Sequence, residues 1–170
     1  MTASKRTDLP TAWDDRATLL QMLVYTRDTA MWKCEGLSDE QARRALLPTS
    51  PLMTVVGIVN HLRWVEYSWI EGDMLGREEV YPWPEDAPTK EMSYALGVPL
   101  AEVIAGWREQ IARYDELFAD LDLDLRAAKP VSTGEKPTFR WILHHLVEEN
   151  ARHNGHLDII REMLDGTTGD

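Results

Sequence analysis

The stretch "LHHLVEENARHNGHLDIIRE", residues 143–162, carries four of the chain's five histidines. Its flanks read as helix, so each side chain's direction follows from about 100° of rotation per residue. With His145 set at zero, Glu149 falls at about 40°, His153 at about 80° and His156 at about 20°. Ile142 and Ile160 fall at about 60°, Leu146 and Leu164 at about 100°, Phe139 and Leu157 at about 120°, and Met163 at about 0°. The polar quartet therefore lies on the stripe that its apolar neighbours assign to the core. His144 falls about 100° away and is read as solvent-facing or interhelical.

A carboxylate in an apolar interior shifts its pKa or finds a partner. One inward histidine is more often a hydrogen-bonded core residue than a ligand. Three imidazoles beside one carboxylate point instead to a divalent metal. Glu149 and His153, at i and i+4, face the same way and can reach one ion.

Outward from this segment the chain reads as helical throughout. A first long helix is expected to begin near Trp13, with Trp13, Ala17, Leu20, Val24 and Met31 on one face, and to end by Gly36. "SDEQ" at 38–41 is a capping-box pattern that opens a short helix through about Leu47. Thr54 is the expected N-cap of a second long helix running to about Gly72, with Val55, Ile58, Leu62, Val65 and Trp69 as its apolar stripe. His61 lies at the edge of that stripe, where a lone histidine is read as partly exposed surface. "VYPWPEDAPTK", residues 80–90, holds three prolines and cannot be regular helix. Residues 73–98 are therefore read as a long connection. Such a length in a compact domain is usually functional or a crossover. The third long helix starts near Pro99, with Leu100, Val103, Ile104, Trp107, Ile111, Tyr114, Phe118 and Leu121 inward. "AAKPVSTGEKP" at 127–137 leads to Thr138 as N-cap of the last helix, which Gly166 stops near Asp165. The ends, 1–10 and 166–170, are expected to be mobile.

Four long amphipathic helices make an all-α four-helix bundle with a long crossover between the second and third. Bundles of this kind build metal sites in the core from facing helices. The second helix could offer His61 to Glu149 and His153. His145 and His156 lie on the turns below and above that pair, and His156, within one turn of His153, is the main rival for the third position.

The 170 residues suit one domain, 1–170. A formal charge of −11 argues against nonspecific nucleic-acid binding and against an anionic membrane surface. No segment reads as a signal peptide or a membrane span. The single Cys34 cannot form an intramolecular disulfide, which favours a reducing, cytoplasmic setting. It lacks a local base and is read as packing. Most tryptophans follow the helical stripes and are read as core; Trp83, in the proline-rich segment, could lid a pocket. There is no HExxH, no Glu-x-x-His at 149–152 and no phosphate loop, which weighs against zincin, di-iron and nucleotide chemistry.

"MTVVGIVNHLRWVEYSW" (53–69) and "TFRWILHHLVEENARHNGHLDIIREMLDG" (138–166), with "WKCEGLSDEQ" (32–41), resemble the DinB/YfiT-like superfamily. Within it they resemble the actinobacterial branch that is similar to the metal-binding domain of mycothiol-dependent maleylpyruvate isomerase. The resemblance implies a four-helix bundle with a long link between helices 2 and 3. It also implies a metal held by one histidine of helix 2 and two residues one turn apart on helix 4. Carried over by motif, these are His61, Glu149 and His153, the glutamate variant of the pattern. Where family members have "H.GQ", this chain has His156, so the resemblance leaves His156 and His145 either as partners that orient a ligand or as alternative ligands. The implied function is a metal-dependent, thiol-dependent S-transferase or isomerase acting on a small electrophile. Zinc is the first choice of ion and nickel the second. A low-molecular-weight thiol, mycothiol-like, is the implied cosubstrate. The isomerase's further C-terminal domain is not recognised here, which implies a substrate other than maleylpyruvate. The alternatives are a metal-dependent hydrolase and a non-catalytic metal-binding module. A small-molecule substrate is the expected partner, and an apolar helix face leaves room for a homodimer.

Overall fold

A computed structural model describes residues 6–86 and 90–168. Four long helices carry the fold: α1 (Asp15–Trp32), α3 (Val55–Tyr67), α5 (Leu100–Asp120) and α6 (Phe139–Asp165). Two short helices, α2 (Asp39–Ala42) and α4 (Lys90–Ala95), lie in the connections. Among the described residues the only β pairing is an isolated bridge between Arg126 and Thr138. The all-α bundle expected from the apolar periodicity is the fold observed. The expected mobility of the chain ends falls partly on residues 1–5 and 169–170, which lie outside the described residues.

The helix boundaries follow from capping chemistry. Thr54 accepts a hydrogen bond from the Gly57 amide at 3.1 Å and starts α3. A side chain at Gly57 would not fit, because a Cβ there would meet the Leu52 carbonyl oxygen at 2.6 Å. Thr138 caps α6 in the same way, and Gly166, at φ 77°, closes it in the left-handed conformation. The capping box of Ser38 and Gln41 is present. Its helix stops at Ala42 rather than Leu47. Ala42 is its one buried residue, too little apolar surface to hold a second turn. The first helix starts at Asp15 because Asp14, not Trp13, is the cap, its carboxylate accepting from the Ala17 amide. Trp13 is left outside and 81% exposed. The inward face of α1 is accordingly Leu19, Leu23, Thr26, Arg27, Thr29, Ala30 and Met31; of the expected stripe Met31 is buried, while Ala17, Leu20 and Val24 are only partly so.

Beyond Tyr67 the second long helix continues as a π-helix, Ser68–Met74, reaching slightly past the expected end. The wider turn, marked by the Leu75 amide bonding the Ile70 carbonyl at 3.0 Å, changes the phase of the apolar stripe. Ile70 and Met74 enter the core, while Trp69, expected on the stripe, is only partly buried. The tryptophans as a group are less buried than expected: Trp107 is fully enclosed, but Trp141 is 47% exposed.

The core is split in two. One apolar cluster joins Ala30, Ile58, Leu62, Val103, Trp107, Leu157 and Ile160. The other joins Leu23, Ile70, Tyr114, Phe118, Ile142 and Leu146. Between them each long helix contributes buried polar side chains: Arg27 from α1, Glu66 from α3, Gln110 from α5, and Asn150, His153 and Asn154 from α6. Gln110 donates to the Arg63 carbonyl and Asn154 to the Thr26 carbonyl, so this polar waist ties helices to one another through the backbone.

Candidate functional site

On one side of the waist, the turn of α6 from Glu149 to His153 meets His61 of α3. His61 Nε2 lies 3.8 Å from Glu149 Oε2, and His153 Nε2 lies 3.6 Å from the same oxygen. The two imidazole rings are 4.8 Å apart and tilted. One donor atom from each of His61, Glu149 and His153 falls within 4.8 Å of the other two. The helix arithmetic placed Glu149 and His153 on one face. The packing of α3 against α6 brings in His61, whose ring is mostly buried at 20% exposure.

Each ring is held from behind. His61 Nδ1 lies 3.0 Å from Glu91 Oε1, and His153 Nδ1 lies 3.3 Å from His156 Nδ1. These contacts occupy the Nδ1 atoms and leave both Nε2 atoms turned toward Glu149. Glu149 divides its oxygens similarly. Oε1 accepts from Arg152 at 3.2 Å and lies 3.9 Å from His145 Nε2, while Oε2 faces the two other histidines. His145 is stacked on Trp141, rings 5.2 Å apart and 9° from parallel, with Trp69 edge-on at 4.8 Å. His144 is exposed, as its angle indicated. A second group, His145, Glu148 and Glu149, also offers three donor atoms, but Glu148 is exposed and pairs with Arg152.

Burial pushes the His153 pKa down to about 4, with the neighbouring His61 and His156 acting in the same direction. His153 is therefore a neutral imidazole at pH 7, the form that ligates metals. The hydrogen bond from His61 holds the Glu91 carboxyl below the usual carboxylate range. The donor set, two imidazoles and one carboxylate, suits late divalent metals.

Glu91 is the site residue that sequence reasoning missed. It lies in the segment read as irregular, where α4 forms one and a half turns. The side-chain amide of Asn60 donates to the Glu91 carbonyl at 2.8 Å and anchors that turn against α3. The available signal was the short run "KEMSYALG" after the last proline of the connection, compatible with a helix turn. Trp83, which the sequence offered as a pocket lid, is 8% exposed. It packs against Trp64, Tyr81 and Tyr94, and with Trp64, Tyr81, Ser68 and Glu91 it lines a cavity of ≈ 190 Å³ that adjoins the Glu91–His61 contact. Cys34 takes no part. It is buried, donates to the Ala30 carbonyl, and burial pushes its thiol up to about 12.

The fold and this cluster define a class: an all-helical bundle of the DinB/YfiT-like superfamily, with a His–Glu–His constellation drawn from two of its helices. A model of the mycothiol-S-transferase family matches residues 18–166, and the chain belongs to that family. A comparison with curated proteins finds no match. The family supports a thiol-dependent transferase as the general activity. No helix among the described residues is long and apolar enough to cross a membrane.

Proposed function

We propose that this chain is a divalent-metal-dependent S-transferase or isomerase that joins a low-molecular-weight thiol of the mycothiol type to a small electrophile. The observation that carries the reading is the convergence of His61, Glu149 and His153 donor atoms within 4.8 Å, each imidazole oriented by a partner on its other nitrogen. Metal-ligating histidines almost always have such an outer partner. These three residues would hold the ion, zinc in preference to nickel. When bound, the ion supplies a positive charge that lowers a thiol's pKa toward neutrality.

The chain's own groups do the rest. Glu91 fixes His61 with Nε2 inward, and His156 does the same for His153. Trp64, Tyr81 and Trp83 give the adjoining cavity an aromatic wall, and the polar Ser68, Lys90 and Glu91 also line it. His145, clasped by Trp69 and Trp141 beside Glu149, is placed to accept the thiol proton. The sulfur then forms its bond to the electrophilic carbon. In a transfer the leaving group departs with the electron pair and takes the proton. In an isomerisation the sulfur departs again after rotation, and thiol and proton are regenerated.

The test loads wild type, His153→Ala and His61→Ala with zinc and measures metal content and consumption of mycothiol, bacillithiol or glutathione with a panel of small electrophiles. Wild type should hold one ion and consume thiol in a metal-dependent way, and both variants should lose both properties. Equal metal content in wild type and His153→Ala would refute the ligand set. Metal-dependent hydrolysis without thiol would replace the transferase reading with a hydrolase.

A further inference from the structure

Sharing Trp64 and Tyr81 with the cavity beside Glu91 is a larger cleft of ≈ 380 Å³, lined also by Asn60, Arg63, Tyr94 and Glu102. Its volume falls at the small end of ligand pockets, about 300–1,000 Å³. Three aromatic side chains supply the walls, and one cation stands among them.

That cation is unusual in its surroundings. The Arg63 guanidinium is packed between the Trp64 indole, 4.9 Å from its ring centre, and the backbone of α5 at Gly106. A Cβ at Gly106 would meet the guanidinium at 2.6–2.9 Å, so the absence of a side chain there is what admits it. No carboxylate pairs with Arg63 among the described residues, and its Nε is buried without a hydrogen-bond partner. Burial lowers its pKa, and the neighbouring Arg113 charge acts in the same direction. In a chain of net charge −11, this half-buried arginine shares its cleft with Glu102 but forms an ion pair with no carboxylate among the described residues, which leaves it able to pair with an acid from outside.

We propose that this cleft binds a small organic carboxylate with a flat apolar body. Arg63 pairs with the carboxylate, and Trp64, Tyr81 and Tyr94 pack against the body. A guanidinium matches a carboxylate through two parallel hydrogen bonds. Glu102, which also lines the cleft, favours a monoanion over a doubly charged phosphate by repulsion. Flat rings pack on aromatic walls. Trp64 and Tyr81 are shared with the cavity beside Glu91, but neither Arg63 nor Glu102 lines that cavity, so a test on the arginine separates this proposal from the metal and thiol reading.

The experiment uses metal-free full-length protein and two probes of one shape, benzoate and benzamide, followed by titration calorimetry or NMR shifts. Benzoate should saturate with a dissociation constant on the order of millimolar, and benzamide should bind about tenfold more weakly or worse. Arg63→Met and Gly106→Ala should each weaken benzoate about tenfold and leave benzamide unchanged, the second by displacing the guanidinium. Glu102→Gln should tighten benzoate binding. Gly106→Ala keeps the test decisive if Arg63→Met does not fold, since alanine favours the helix interior. Absence of benzoate binding to wild type, equal binding of the two probes, or unchanged benzoate affinity in Gly106→Ala would overturn the proposal.

Discussion

Glu66 and Glu149 are two carboxylates of the polar waist, and their surroundings answer their charge in opposite ways. Glu66 is fully buried and fully matched. It accepts from Arg27 Nε at 3.2 Å, from a second Arg27 nitrogen at 2.5 Å, and from Trp107 Nε1 at 3.1 Å. Arg27 completes its own set with Asp115 at 3.1 Å. Glu149 is also largely buried, but its inner oxygen meets only the Nε2 atoms of two histidines, at 3.6 and 3.8 Å. These are too far for hydrogen bonds. A carboxylate that the protein satisfies by itself is a structural element. One whose neighbours are also lone-pair donors leaves room for a cation.

The largest effect expected from this contrast is at Arg27. Replacing it with methionine leaves the buried Glu66 without a counter-charge, held only by the Trp107 Nε1 hydrogen bond, which should cost about 3–5 kcal/mol of stability in urea unfolding. A loss below about 1 kcal/mol would mean that Glu66 is not the structural carboxylate described here. Next comes Glu91→Gln. It should weaken zinc affinity about 10–100-fold, read by competition with a chromophoric chelator, while the unfolding midpoint of the metal-free protein stays put. An unchanged affinity would leave Glu91 as a simple helix contact.

Acid sharpens the comparison at His153, whose pKa is pushed from 6.5 to about 4. Between those values the unfolded chain binds the proton and the folded chain does not. The contribution of neutral His153 is therefore complete above pH 6.5 and is lost as pH falls toward about 4. The slope should not exceed about 1.4 kcal/mol per pH unit for one proton. His153→Gln should flatten it in a pH series of melts on metal-free protein. The smallest expected effect is Glu149→Gln. Metal-free stability should change by less than about 1 kcal/mol, yet the rise in Tm that zinc gives wild type should disappear. A large loss without zinc would make Glu149 a second Glu66 and break the contrast.

Local rules made much of this legible in one dimension. Apolar periodicity, Thr54, Thr138, Ser38 with Gln41, and Gly166 place the helices and their ends, because each cap is an interaction within a few residues of chain. The inward direction of Glu149 and His153 is likewise a matter of helix geometry alone. His61 stood apart: its angle put it at the edge of a stripe, bundle geometry offered it as a third ligand with His156 as rival, and the motif resemblance decided for it.

What tertiary structure decided is how the polar residues pair. Arg27 and Glu66 lie on helices whose stripes gave no hint of a buried charge, and the pair forms only when α1, α3 and α5 close together. Glu91 reaches His61 across thirty residues of chain, from a turn that α3 itself holds in place. The π-helical turn at 68–74 rotates Ile70 inward and leaves Trp69 beside His145, a phase change that an even period of 3.6 cannot describe. The sequence by itself determined which helices form and which side of each is apolar, since backbone geometry and transfer from water act locally. Which charges meet in the waist depends on distances between helices, and those exist only once the bundle is packed.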